Sequence, residues 1–178
     1  MHILQQVRPI VMKNGIYYNK GMRKKNLQLL AYLAKEHSEA SVTVLIKLCY
    51  LADLISIKRY GKKISSFNYI RYYFGPFDSE IYIELECLVN EDILKAEPEY
   101  TKKGAEAIIY HFNENKELNT SELKKEDKIV LNELLESVRG YGAKALTDIT
   151  YNTKPMKAFG ATLGGNEHMG ELLDLHIA

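Results

Sequence analysis

The chain has 178 residues, about the size of one ordinary domain, and its 46% apolar content is ample for one core. Lys and Arg number 24 against 23 Asp and Glu, which excludes a disordered acidic chain and a uniformly cationic nucleic-acid binder. No apolar run approaches the ~20 residues of a membrane helix. Cys49 and Cys87 lie in apolar patterns and no secretory signal precedes them, so we expect reduced thiols in a cytoplasmic protein without a membrane partner.

The even balance of charge hides a strong asymmetry along the chain. Residues 1–77 hold 13 basic and three acidic residues, whereas residues 78–178 hold 11 basic and 20 acidic residues. Two faces of opposite potential would steer and orient a partner. The alternative is that the two blocks lie side by side and partly neutralise one another within the fold.

Residues 1–20 are predicted to form a separate N-terminal arm or β-hairpin. Asn14-Gly15 lies between two β-prone triplets, Ile10-Val11-Met12 and Ile16-Tyr17-Tyr18, and such a pair is typical of a two-residue hairpin turn. Helical periodicity then predicts a helix over about 21–37 and a second, widely apolar helix that begins after Ser41 as N-cap and ends before Gly61. We expect this second helix to be buried on more than one side.

The remaining elements alternate between strand-like and helical patterns. An aromatic, extended segment over 64–74 ends at Gly75-Pro76, and Asp78 caps a third helix over about 79–90. Two β-prone runs, 93–100 and 107–112, flank Lys102-Lys103-Gly104 and suggest a hairpin, with a short helix starting at Lys102 as the alternative. The remaining predictions are an amphipathic helix over 124–139, stopped by Gly140 and Gly142, a short helix over about 143–152 and a Gly-rich C-terminal tail over 159–178.

These elements predict an α+β fold that is mostly α. Residues 21–158 would form one compact helical domain of four to six helices with a small antiparallel β element. Groupings that carry chemistry are missing from the sequence. The five histidines lack metal-ligand spacing, the two cysteines are far apart, and no phosphate loop, Walker lysine or nucleophile elbow is present. The sequence therefore predicts no catalytic residues, no metal and no cofactor.

The most informative block runs from Lys47 to Tyr82 and reads KLCYLADLISIKRYGKKISSFNYIRYYFGPFDSEIY. Asp53 shares a helical stripe with Ile46, Tyr50 and Ile57, and a carboxylate there is costly unless it is hydrogen-bonded or paired. Its expected donors are tyrosine hydroxyls, Arg59 or backbone N–H groups of the following loop. We interpret Asp53 as an internal tie for the extended segment; direct contact with a partner is the alternative.

The block is also rich in tyrosine, which offers apolar area with a polar tip and suits interfaces as well as half-buried cores. An Arg/Tyr partner-binding face is one interpretation and plain core is the other. The candidate binding residues are Arg59, Tyr60, Tyr69, Arg71, Tyr72 and Tyr73. A polar pocket around Asp53, Arg59 and Tyr69 would instead indicate an enzyme.

The same block resembles the Panacea domain, the family of SocA-like antitoxins and phage-associated proteins. The family pattern is roughly K-L-x-Y-x-A-D, then R-Y-G-x-x-I, a Tyr-containing extended stretch, and G-P followed by S-E-x-Y. The matching positions include the motif residues Lys47, Tyr50, Asp53, Gly61, Gly75, Pro76 and Tyr82. The resemblance covers about residues 22–158. The chain departs from the pattern at Lys62-Lys63, at Phe74 and in having no tryptophan.

The resemblance implies a non-enzymatic protein-binding module. Members of the family look like antitoxins that bind and neutralise toxins encoded beside them, and at least one branch delivers its toxin to the ClpXP protease. For this chain, the resemblance implies a cognate toxin protein as partner and a ClpXP-type protease as a further partner. It does not identify the toxin.

A DNA-binding regulator is the alternative from the residues alone. Two helices, a third helix and a hairpin with Lys102-Lys103 at its tip are reminiscent of a winged helix, and Arg23, Lys24 and Lys25 could meet phosphates. The third helix carries several glutamates, however, and these would repel a phosphate backbone.

Overall fold

The computed structural model describes residues 20–100, 104, 106–160, 163 and 165–177. Within these ranges the chain forms six α-helices and two antiparallel hairpins, in the order α1 (Lys20–Glu36), α2 (Val42–Tyr60), β1 (Ile70–Tyr72), β2 (Gly75–Phe77), α3 (Glu80–Asn90), β3 (Leu94–Tyr100), β4 (Glu106–Phe112), α4 (Lys125–Ser137), α5 (Ala143–Tyr151) and α6 (Lys154–Ala158). This confirms the predicted fold class. The predicted arm at 1–20 lies, apart from Lys20, outside the described residues.

Helix α2 is the centre of the fold. Leu45, Leu48, Cys49 and Ala52 are fully buried, and α1, α3, α4 and α5 all pack against this helix. Its ends follow local chemistry: the Ser41 hydroxyl accepts from the Val44 N–H at 3.4 Å. No helix in the described part is both long and apolar enough to cross a bilayer.

The two hairpins pack against different sets of helices: β2 contacts α2 and α5, whereas β3 and β4 contact α1, α2 and α3. In the first, Ile70 pairs with Phe77 and Tyr72 with Gly75, so Tyr73 and Phe74 form the turn. The second joins β3 to β4 over seven pairs, from Leu94–Phe112 to Tyr100–Glu106, as the sequence predicts. The alternative of a helix through this region is wrong from residue 106 onward, because β4 is a strand; residues 101–103 lie outside the described part.

The C-terminal tail packs on the domain beside the first hairpin. The Leu173 N–H donates to the Tyr69 carbonyl at 2.8 Å, and Leu172 lies opposite Ile70. Leu173 and Leu175 are buried, and a 3-10 turn, Leu175–Ile177, packs against α2 and α6. Residues 170–173 therefore pair with the outer edge of β1 through one β-bridge and the hydrogen bonds on either side of it.

The start of α3 differs in detail from the prediction. Ser79, and not Asp78, occupies the N-cap position, although the Asp78 carboxylate still accepts from the Glu80 N–H at 2.9 Å. Its second oxygen accepts from the Asn68 N–H at 2.6 Å. Asp78 therefore stabilises the helix start and the extended segment at once.

Candidate functional site

Asp53 fastens the extended segment after α2 to the core. The side chain is fully buried, and its Oδ1 accepts from the N–H groups of Ile64 at 2.8 Å and Ser65 at 2.9 Å. Its Oδ2 accepts from the hydroxyls of Ser65 at 2.5 Å and Tyr69 at 2.9 Å. Two of the three expected kinds of donor are thus present. The third, Arg59, lies elsewhere and pairs with Glu133 at 2.5 Å.

Burial raises the pKa of the Asp53 carboxyl, while the hydrogen bonds from Ser65, the charge of Lys63 and the Tyr69 hydroxyl oppose that rise. Burial, reinforced by the Asp53 charge, raises the pKa of Tyr69 well above its ordinary value. Tyr69 therefore keeps its proton and remains a donor. Asp53 and Tyr69 are buried and Arg59 pairs with Glu133, so these three residues do not line one open polar pocket.

A second buried contact holds Gly75 and Pro76, the first two residues of β2, which we call the Gly-Pro corner. Lys47 is 3% exposed, and its Nζ donates to the Pro76 carbonyl at 2.8 Å. Burial, with a smaller contribution from the charge of Arg71, lowers the pKa of Lys47 to about 7. Gly75 has φ +94°, and a Cβ there would lie 3.0 Å from the Thr150 hydroxyl oxygen, so glycine is needed at this corner.

The remaining motif residues pack around the same hairpin. The Tyr50 hydroxyl shares a 2.7 Å hydrogen bond with the Thr153 hydroxyl, and its ring meets the Tyr69 ring edge-on at 5.3 Å. Half-buried Tyr82 places its ring 6.0 Å from that of Phe77. Gly61 adopts φ +71° at the end of α2, where its N–H donates to the Ile57 carbonyl.

The six candidate binding residues divide into exposed and buried groups. Tyr60, Tyr72 and Tyr73 are 40%, 41% and 48% exposed, and Arg59 is also exposed. Tyr69 and Arg71 are buried at 1% and 0%, so neither lines a free surface in this conformation. The sequence alone does not distinguish the buried tyrosine from the exposed ones. Tyr69 and Tyr72 belong to the same extended stretch, but the Tyr69 side chain is buried in the core and the Tyr72 side chain is exposed.

Phe74, which the sequence analysis did not select, is 66% exposed. Together Tyr72, Tyr73 and Phe74 form a surface that we call the aromatic tip. The Tyr72 ring stacks on Phe77 at 4.8 Å and meets Tyr73 edge-on at 5.1 Å, and the Tyr151 hydroxyl donates to the Tyr73 carbonyl at 3.0 Å. The tip is therefore supported from below by fixed contacts. Its hairpin position was the signal that could have identified Phe74.

Arg59 and Tyr60 are separated from the aromatic tip. The extended segment runs back along α2, so that the hairpin corner meets Lys47, twelve residues before Arg59. At a rise of 1.5 Å per helical residue, Lys47 and Arg59 lie about 18 Å apart along the axis of α2. The predicted face is therefore two patches, one aromatic and one basic.

Two other clusters occur in the described part of the chain. Glu97, Glu99 and His111 place ligand atoms within 4.8 Å of one another on the β3–β4 hairpin, and His111 Nε2 lies 2.5 Å from the Glu99 carboxylate. Sequence spacing did not reveal this proximity, which arises from strand pairing. A polar cleft of about 430 Å³ lies between the ends of α1 and α4, with Glu36 and Arg139 in its lining.

The fold and the ties define a small helical domain that holds an aromatic hairpin rigidly at its surface. The family model described as "Antitoxin SocA-like, Panacea domain" matches residues 45–155, and the chain belongs to that family. The match confirms the resemblance seen in the sequence and spans from Leu45 in α2 to Pro155, the second residue of α6. Neither a curated protein nor a solved structure gives a match to the chain.

Proposed function

We propose that the chain neutralises a cognate toxin protein by binding it directly, without catalysis. One observation carries this proposal: in a chain of an antitoxin-like family, an exposed aromatic tip stands on a hairpin fixed by two buried ionisable ties. We place this activity in the cytoplasm, where the partner of such a protein would be made.

A rigid aromatic tip suits protein recognition for an energetic reason. Tyr and Phe supply large contact area. The stack on Phe77 fixes the Tyr72 ring, and the Tyr151 hydrogen bond fixes the Tyr73 carbonyl. Binding then loses little side-chain freedom, so more of the contact energy remains as affinity. Because Arg59 is paired with Glu133, the exposed Lys58 and Lys62 beside Arg59 and Tyr60 would orient an acidic region of the partner rather than supply most of the affinity.

The test uses the protein encoded next to this chain as the candidate toxin. The two are co-expressed, and growth rescue and co-purification are measured for wild type and for the double variant Tyr73→Ala/Phe74→Ala. We expect the double variant to lose at least about tenfold in affinity and to lose rescue. The matched control is Tyr141→Ala, which truncates a tyrosine 43% exposed on another part of the surface. Equal losses in both variants, or no complex with wild type, would reject the proposal.

The family resemblance also includes delivery of a toxin to a ClpXP-type protease. Toxin half-life in cells with and without that protease separates the two modes. A simple inhibitor leaves the half-life unchanged, whereas an adaptor shortens it only when the protease is present.

A DNA-binding role is disfavoured by the charge of α3. Glu86 is exposed and Glu80 is half-exposed on this helix, so it would present negative charge to a phosphate backbone. The Lys102-Lys103 tip lies outside the described residues. Gel-shift affinity that falls steeply with salt would favour DNA binding; weak and salt-insensitive binding would count against it.

A further inference from the structure

The outer edge of β1 is occupied by the chain's own C-terminal segment. β1 pairs with β2 on one side. On the other side, the Arg71 N–H donates to the Glu171 carbonyl and the Leu173 N–H donates to the Tyr69 carbonyl, each at 2.8 Å. The edge of β1 thus already accepts an extended peptide through its main chain, which is the pattern of β-strand addition.

Two leucines of the segment are buried. Leu173 and Leu175, the latter the first residue of the 3-10 turn, are 5% and 6% exposed and join the core, whereas Leu172, opposite Ile70, is 64% exposed. Arg71 adds a polar contact, because its guanidinium donates to the Gly165 carbonyl at 2.8 Å and contacts the Met169 sulfur at 3.6 Å. The groove therefore accepts a Leu-x-Leu segment whose first leucine is extended and whose second begins a turn, preceded by a carbonyl acceptor.

Ordering the C-terminal segment against β1 has a cost in conformational free energy. Gly160, Gly165 and Gly170 lie along it, and glycine loses more conformational freedom on ordering than any other residue. His168 adopts φ +57°, a left-handed conformation that is strained for a residue with a Cβ. The segment also follows the family match, which ends at residue 155, while Tyr69 and Arg71, the residues it covers, lie inside the match.

We propose that the outer edge of β1, together with the core surface that holds Leu173 and Leu175, is a peptide-binding groove, and that a Leu-x-Leu segment of the partner protein, paired along β1 as residues 170–173 are, replaces residues 170–175 in it. The identity of that partner as a toxin rests on the proposed function; the groove itself does not. Displacement frees the guanidinium of Arg71 from the tail, so that it donates to a carbonyl or carboxylate of the incoming strand. The tail then competes with the partner segment within the same molecule and lowers the apparent affinity of the partner.

The first experiment uses full-length protein and a labelled synthetic peptide of residues 169–177 as the probe. The double variant Leu173→Glu/Leu175→Glu undocks the tail and should bind the probe at least about tenfold more tightly than wild type, whose tethered tail competes at high effective concentration. Leu172→Glu adds one of the same charges at the exposed position directly before them and should behave like wild type. A double variant that melts cooperatively yet binds the probe no better than wild type overturns the proposal.

The second experiment keeps the proposal testable if the double variant does not fold. Ile70 and Leu172 face one another as a non-hydrogen-bonded antiparallel pair, in which side chains come close, so Ile70→Cys/Leu172→Cys can close a disulfide that pins the tail. The reduced form should take up the probe at high peptide concentration, and the oxidised form should take up less than a tenth as much. Equal uptake by both forms overturns the proposal. Neither experiment contains a toxin, so a failed groove and a failed toxin partner give separate results.

Discussion

At the scale of single residues, Asp53 illustrates how a buried charge becomes a structural tie. Burial favours its neutral form, but four donors converge on the carboxylate and compensate for lost water. Removing the acceptor would leave these donors, two of them backbone N–H groups, without a partner in the interior. Such unsatisfied groups are costlier than the loss of an average hydrogen bond.

Asp53→Ala should therefore lower the free energy of unfolding by about 1–3 kcal/mol. Urea denaturation at neutral pH measures this change. The control is Asp148→Ala, which removes an exposed carboxylate paired with Lys144 and should change stability by less than about 0.5 kcal/mol. A near-neutral Asp53→Ala would show that the extended segment is held by packing alone.

Lys47 leads to a prediction about pH. Its pKa is about 7 in the folded protein against an ordinary value of 10.5, so between these values the unfolded chain binds more protons than the folded one. Stability should therefore rise with pH in this window, with a slope of at most about 1.4 kcal/mol per pH unit from this residue. Below about pH 7 Lys47 is protonated in both states and contributes no slope.

Lys47→Met isolates that contribution, because methionine does not titrate. The difference in unfolding free energy, wild type minus variant, should increase between about pH 7 and about pH 10. Urea titrations of both proteins across this range measure it. A difference that stays constant would mean that Lys47 keeps an ordinary pKa in the fold.

At the scale of elements, the Gly-Pro corner holds the hairpin close to α5. Gly75→Ala combines an unfavourable positive φ with a Cβ 3.0 Å from the Thr150 hydroxyl, so we expect a loss of about 1–3 kcal/mol of stability. Gly140→Ala is the matched control, because Gly140 has φ +75° but open space around its Cβ position. Thermal melts should show the larger loss for Gly75→Ala; equal losses would mean that backbone strain alone sets the cost.

Sequence reasoning reached the elements that local chemistry specifies. Ser41 and Gly61 mark the ends of α2 by capping, and Asp53 stood out because a carboxylate interrupts an apolar stripe. The burial of residues whose contacts lie far along the chain could not be predicted from the sequence. Arg71 resembled a surface cation, yet residues 165–169 bury it from more than ninety positions away. The docking of Leu173 against β1 likewise has no local signal in a Gly-rich tail.

At the scale of the whole molecule, the two charge blocks meet within the fold. Among the described residues, five ion pairs join a base of the first block to an acid of the second: Arg23–Glu84, Lys24–Glu122, Lys25–Asp127, Lys35–Glu114 and Arg59–Glu133. Four of these bases belong to α1, which therefore fastens α3, α4 and the connector between β4 and α4 to the core. This supports the alternative in which the blocks partly neutralise one another, and it makes the asymmetry a feature of assembly as well as of surface potential.

The pairs should differ widely in energy, because their burial differs. Lys25 contacts Asp127 at 2.7 Å, and the Asp127 side chain is 2% exposed, whereas the nearby Lys24–Glu122 pair lies in solvent. Lys25→Met should cost about 1–3 kcal/mol, because it removes the charged partner of a buried carboxylate that, among the described residues, then keeps the Lys124 N–H as its donor. Lys24→Met should cost less than about 0.5 kcal/mol.

Urea denaturation at low and high salt compares the two variants. The stability loss from Lys24→Met should vanish at high salt and the loss from Lys25→Met should persist, since a buried pair is little screened. Equal, salt-sensitive losses would mean that α1 is held by general charge attraction rather than by one buried contact.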